Sequence, residues 1–303
     1  MTKKVRKLRV SIGVTSFNEE QNIARLLQSL LKQKLKSAVI SEILVISSGS
    51  IDKTNTIIKK ISRKNPKVKL IKQNKRVGKA SAVNLFLSFA KEDILILSSA
   101  DILIPIDTVE KIAHPFKKPD IGIVGSHPIP VNDPNSFFGF AAHLMWGLHH
   151  QISLKSPKMG EFIAFRKIFK QIPPTSAVDE ASIEALIRGQ RYKAFYASKA
   201  IIYNKGAENI NDFIARRRHI YAGHLETKNE YNYKVSTINV SKIIYALIKN
   251  FEFSKQYIFW TPLVILLEAF CRFLGLLDYK FYPRKYAIWK ITPSTKKLSN
   301  ICL

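Results

Sequence analysis

The feature that most narrows what this chain can fold into is a repeat of short apolar runs separated by helical stretches. VSIGVTS (Val10 to Ser16), EILVISSGSID, VKLIKQ and DILILSS are rich in branched residues, strand-length, and three of them close on polar or turn residues. Between them stand FNEEQNIARLLQSLLKQ, a basic stretch from Thr54 towards Lys64, and GKASAVNLFLSFAK. In the first, Asn18 is placed to cap a helix with Gln21 three residues on, and Ile23, Leu26, Leu27, Leu30 and Leu31 share one face. In the last, Val83, Phe86, Leu87 and Ala90 do the same. Strands spaced by helices of this length require right-handed crossovers, so the chain reads as α/β with a central, mainly parallel sheet flanked by helices. Such sheets bind ligands outside the carboxyl ends of their strands. Three ends are polar here: Thr15-Ser16-Phe17-Asn18, Ser47-Ser48-Gly49-Ser50-Ile51-Asp52 and Ser98-Ser99-Ala100-Asp101.

What those ends hold is narrowed by charge. The 49 basic residues outnumber the 22 acidic ones, a formal +27 that favours phosphate-bearing partners. No G-x-G-x-x-G follows a strand and no Walker loop occurs, so neither standard phosphate cradle is present. Signatures of RNA-recognition domains, zinc fingers and helix-turn-helix proteins are also missing, which argues against nucleic acid as the partner. Cys271 and Cys302 show no C-x-x-C pairing, so a disulfide framework or structural zinc is not expected. The basic N-terminus runs into a strand without an apolar leader segment, which predicts a cytoplasmic protein.

Two later stretches carry their own signals. NSFFGFAAHLMWGLHH places Phe137, Phe138, Phe140, Ala141, Leu144, Met145 and Leu148 on a broad apolar helix surface, with Trp146, His149 and His150 at its end. From Tyr257 to Leu277 the chain is long and apolar enough to cross a bilayer, but it contains Pro262, Glu268 and Arg272. Each charge near mid-bilayer costs roughly 2.5 to 3.5 kcal/mol. Glu268 and Arg272 are four apart and can pair on one helix face, while Trp260 and Tyr279 bracket the segment as interfacial anchors. Helices lying on an anionic membrane surface are therefore expected over a true span, with a buried helix as the plain alternative.

Taken together, VSIGVTSFNEEQNIARLLQSLLKQ, ILVISSGSIDKT and KRVGKASAVNLFLSFAKEDILILSSAD resemble the N-terminal half of family 2 glycosyltransferases, whose nucleotide-sugar-binding fold is called GT-A. The resemblance thins out towards His224. It implies a GT-A domain over residues 1–228 and a C-terminal region of amphipathic and apolar helices over 229–303, associated with the cytoplasmic face of a membrane. It further implies a nucleotide-sugar donor held by Thr15, Phe17, Asn18, Glu19, Ser48 and Asp52 at the base and ribose. Arg76, Gly78 and Lys79 are implied near the diphosphate, with Ala100 and Asp101 at the metal. Two departures stand out: Ser47 and Ser48 replace the family's acids, and the metal-binding Asp-x-Asp is reduced to Ser99-Ala100-Asp101. A hard cation, Mg2+ or Mn2+, accepts one carboxylate when phosphate oxygens and water fill its shell.

Further along, AVDEASIEALIRGQRYKAFY resembles the segment in which the family places its general base, implying Asp179 or Glu180. DFIARRRHIYAGHL resembles the Arg-rich segment of the membrane-associated branch; Arg216, Arg217 and Arg218 cannot all face one site on a helix, and two of the set Arg217, Arg218, Tyr221 and His224 are implied at the diphosphate, Arg217 and Arg218 foremost. Trp146, His149, His150, Gly160 and Glu161 are implied at an acceptor that is lipid-linked or a glycan precursor. The reaction implied is a single inverting displacement. The competing readings are a catalytically degenerate scaffold of the same fold and a basic protein that binds a phosphate polymer.

Overall fold

The apolar runs of the first hundred residues all become strands: β1 (Leu8–Ser16), β2 (Ala38–Ser48), β3 (Val68–Gln73) and β4 (Ile94–Ser99). In the computed structural model, which describes residues 7–282, 288–289, 291–296 and 298, helices α1 (Ile23–Leu31), α2 (Thr54–Lys64) and α3 (Lys79–Phe89) cross between them. The helix expected from Asn18 begins later, at Ile23, with Asn22 at its N-cap. Asn18 instead adopts a left-handed backbone (φ 51°). Its amide donates to Ser50 Oγ and its side-chain oxygen accepts from the Ile51 amide, so it fastens the β1 loop to the β2 loop. A short side chain that tolerates positive φ serves a loop junction better than a helix start.

Three more strands complete one seven-stranded sheet in the order β3-β2-β1-β4-β6-β5-β7, with β5 (Ile121–Pro130), β6 (Phe162–Arg166) and β7 (Lys193–Asn204). All pairings are parallel except those of β6, which runs antiparallel to both β4 and β5. Residues alternate between the faces. Val10, Ile12, Val14, Ile43 and Val45 pack beneath α1, α2 and α4 (Thr108–Ala113), while Leu44, Ile46, Leu95 and Leu97 pack against α3 and α6 (Asp179–Gly189). Gly13 is needed under α3, since a Cβ there would lie 2.5 Å from the Phe86 ring.

Because β6 is reversed, its start meets the end of β4, with Phe162 opposite Ser98. The residues just before β6, Gly160 and Glu161, are thereby carried to the same sheet edge as Asp101. A third apolar cluster lies beyond that edge, where α5 (Phe137–Lys155) meets α7 (Ile210–Tyr231) and α9 (Lys255–Phe281) through Ala141, Leu144, Phe213, Tyr257, Val264 and Cys271. α8 (Val240–Lys249) packs on α5. The boundary expected after residue 228 falls inside α7, and α9 lies along that helix. Trp260 faces inward, edge-on to Phe137 and Phe140, rather than standing out as an anchor.

Candidate active site

The strand ends gather a polar cleft of about 190 Å³. Thr15 comes from the end of β1 and Phe17 and Glu19 from the loop after it, Ser48 from the end of β2, Arg76 and Gly78 from the loop before α3, Lys79 from the first position of α3, and Ala100 and Asp101 from the residues just after β4. Asn18 and Asp52 support the cleft without lining it: Asp52 accepts from the Glu20 and Thr54 amides. The Arg76 guanidinium lies 4.2 Å from the centre of the Phe17 ring.

Asp101 has no hydrogen bond or ion pair to any described residue. Its charge nevertheless acts on its neighbours: Glu19 is pushed up to about 7, first by burial and then by Asp101, and Glu161 is raised by burial with Asp101 adding to it. The described residues hold no group of three His, Cys, Asp or Glu side chains able to grip a metal on their own. An unneutralised carboxylate beside two acids fits a hard cation that arrives carrying most of its own ligands, as a diphosphate complex does.

On the far side of the cleft the two acids at the start of α6 are separated by their surroundings. Asp179 is buried, with Lys79 Nζ 2.9 Å from its Oδ1, and burial together with Glu180 raises its carboxyl well above the ordinary range. Burial works in the same direction on Glu180, but there Lys79 prevails and holds the group ionised below its usual range. Asp179 lines neither cavity; Glu180 lines both. Adjacent residues on a helix differ by about 100° in direction, which is why only one acid reaches the open space.

The second cavity, of about 520 Å³, runs from Glu180 into the α5, α7, α8 and α9 cluster and is mostly apolar. Trp146, His149, Gly160 and Glu161 line it; His150 does not, but stacks on His127 at 4.0 Å and hydrogen-bonds the Tyr196 hydroxyl at 2.8 Å. Glu161, Glu180, Arg216 and Trp289 line both cavities, so the two meet there. Arg216 Nη2 donates to Glu161 Oε1 at 2.6 Å. Arg217 and Arg218 are not brought to the polar cleft: Arg217 grips both oxygens of Glu268, at 2.7 Å each, and Arg218 grips Asp278, both acids on α9.

One lining residue had no sequence signal. Lys158, in the loop before β6, has no described hydrogen-bond or ion-pair partner. Burial, with Arg217 nearby, lowers its amine to about 8. Only the folded arrangement of Lys158 with Arg217 and Arg272 on the cavity wall marks it out.

The sequence matches the profile described as Glycosyl transferase family 2 over residues 11–186, and the chain belongs to that family. Its fold is similar to that of the mannosyltransferase PcManGT from Pyrobaculum calidifontis in complex with GDP-Man and Mn2+, with a TM-score of 0.64, 18% identity, and 91% of this chain covering 88% of that one. By sequence it is similar to a dolichyl-phosphate beta-glucosyltransferase from Trichomonas vaginalis, 23% identical over 36% of this chain and 35% of the relative. A dolichol-phosphate mannosyltransferase from Pyrococcus furiosus is 27% identical over 39% of this chain and 33% of the relative. The alignments thus span about a third of the length of these curated relatives.

Proposed function

We propose that the protein is an inverting glycosyltransferase that moves a sugar from a nucleotide-sugar donor to a hydroxyl of a lipid-linked acceptor at the cytoplasmic face of a membrane. The observation that carries this reading is the meeting of a polar cleft and an apolar cavity at Glu180. Glu180 takes the proton of the acceptor hydroxyl; that oxygen bonds to the anomeric carbon as the bond from carbon to the diphosphate oxygen breaks, and the configuration inverts. Lys79 keeps Glu180 ionised for this step while Asp179 stays buried. Negative charge growing on the leaving diphosphate is met by Arg76, Lys79 and Arg216, which line the cleft. Asp101 would hold a divalent cation, Mg2+ or Mn2+, which supplies further charge stabilisation to the diphosphate.

The acceptor half of the reading rests on the apolar lining and on Lys158, a cation suited to the phosphate that joins glycan to lipid. The relatives' names, which carry dolichyl or dolichol phosphate, are in keeping with a lipid-linked acceptor. Membrane association is supported by α9, whose Phe259, Leu263, Leu266, Phe270 and Phe273 are exposed and spaced three or four apart along one stripe. The reading is tested by thermal shift with UDP, GDP, CDP and dTDP, with and without Mn2+, on the natural chain and on Asp101→Ala. A metal-dependent shift with one nucleotide, absent in the variant, is expected. No shift with any nucleotide would favour the degenerate scaffold.

A further inference from the structure

The cleft assigned to the donor has a wall from the far end of the chain. Trp289, Ile291, Thr292, Thr295 and Lys296 line it, and the segment that carries them is tied to both halves of the molecule. On one side, Asn22 Nδ2 donates to the Lys296 carbonyl at 2.5 Å and Arg25 Nη1 to the Leu298 carbonyl at 3.1 Å. On the other, the Ser294 amide and hydroxyl donate to Asp212 Oδ2 at 3.1 and 2.5 Å, and Trp289 Nε1 donates to the Ala177 carbonyl at 2.8 Å. Inside the cleft, Lys296 Nζ pairs with Glu19 and donates to the Phe17 carbonyl at 3.1 Å. Arg76, lying over the Phe17 ring, donates to the Trp289 carbonyl at 2.5 Å.

The two groups that a donor's base would meet, the Phe17 face and the Glu19 carboxylate, are therefore already engaged by the chain's own cations. What remains is about 190 Å³, below the roughly 300–1,000 Å³ of ordinary ligand pockets. We propose that the described residues 289 and 291–296 form a gate: they occupy the nucleotide end of the donor cleft and must swing out, releasing Glu19 and Arg76, before a nucleotide can seat. This inference rests on the donor reading of the cleft. A closed gate divides the intrinsic affinity by the fraction of molecules that are open, so loosening the gate tightens apparent binding.

Arg25 and Ser294 hold the segment from outside the cleft and line no part of it. The full chain and the double variant Arg25→Ala/Ser294→Ala are titrated calorimetrically with UDP, GDP, CDP and dTDP in the presence of Mn2+. The variant is expected to bind its nucleotide about tenfold more tightly, the factor that about 1.4 kcal/mol of lost anchoring gives. Equal or weaker binding overturns the gate while leaving the donor reading intact, and absence of binding by both chains overturns the two together. Should the variant not fold, trypsin decides on the unmodified chain: nucleotide should speed cleavage after Lys296, and protection there would overturn the proposal.

Discussion

At the scale of single residues, the division of labour between Asp179 and Glu180 makes three predictions. Glu180→Gln should lower kcat by 10²- to 10⁴-fold, the usual worth of a general base, while a calorimetric Kd for the nucleotide stays put. The acid limb of kcat/KM follows the ionisation of Glu180, which Lys79 holds low; activity should persist into acidic solution and fall only below the ordinary carboxylate range. Lys79→Met removes that support, so the limb should move to higher pH, checked by a pH profile of the two chains. Lys158 gives the opposite sign. Its amine is protonated below about 8 and neutral above, so the KM for a phosphate-bearing acceptor should rise as pH passes through 8. Asp101, Lys79 and the acid pair are legible in the sequence because each sits in a local motif. Arg216 is not, since three consecutive arginines look alike until Glu268 and Asp278, more than fifty residues on, claim Arg217 and Arg218.

At the scale of elements, the same ion pairs explain why a helix long and apolar enough to cross a membrane lies along α7. Glu268 is shared by Arg217 and by Arg272, the latter at 2.9 Å, and Arg218 holds Asp278 nearly three turns further along α9. The backbones approach closely beside them: a Cβ on Gly275 would lie 2.5 Å from the Arg218 carbonyl oxygen. Glu268→Ala leaves two enclosed arginines without their carboxylate and should cost about 3 kcal/mol, read from urea unfolding. The alternation of strands and helices predicted the first half of the sheet well because each element there is fixed by its own apolar period. The reversal of β6 and the return of the C-terminal residues to Asn22 and Arg25 were not legible, because neither depends on a local pattern.

Across the whole molecule, charge and apolar surface act on the same face of the problem. The net +27 and the exposed stripe on α9 should together bring the protein to anionic vesicles. Sedimentation with phosphatidylglycerol vesicles should fall when salt is raised, and Phe259→Glu/Phe270→Glu should abolish it at low salt with the fold unchanged by circular dichroism. Binding that neither salt nor the double substitution reduces would contradict a surface-lying helix.

The carboxylates around Asp101 have a consequence for how the protein treats the anions it attracts. Its outer charge draws any nucleotide towards it over a screening length of about 8–10 Å at cellular salt. Inside the cleft Lys296 pairs with Glu19 and Arg216 with Glu161, so Asp101 is the acid there that no described side chain pairs with. A bare diphosphate meets that one carboxylate as a like charge, whereas one that carries a divalent ion meets it as a ligand. The molecule thus sorts its visitors by what accompanies them, and a spent nucleotide that loses its companion ion loses its hold on the same carboxylate that admitted it.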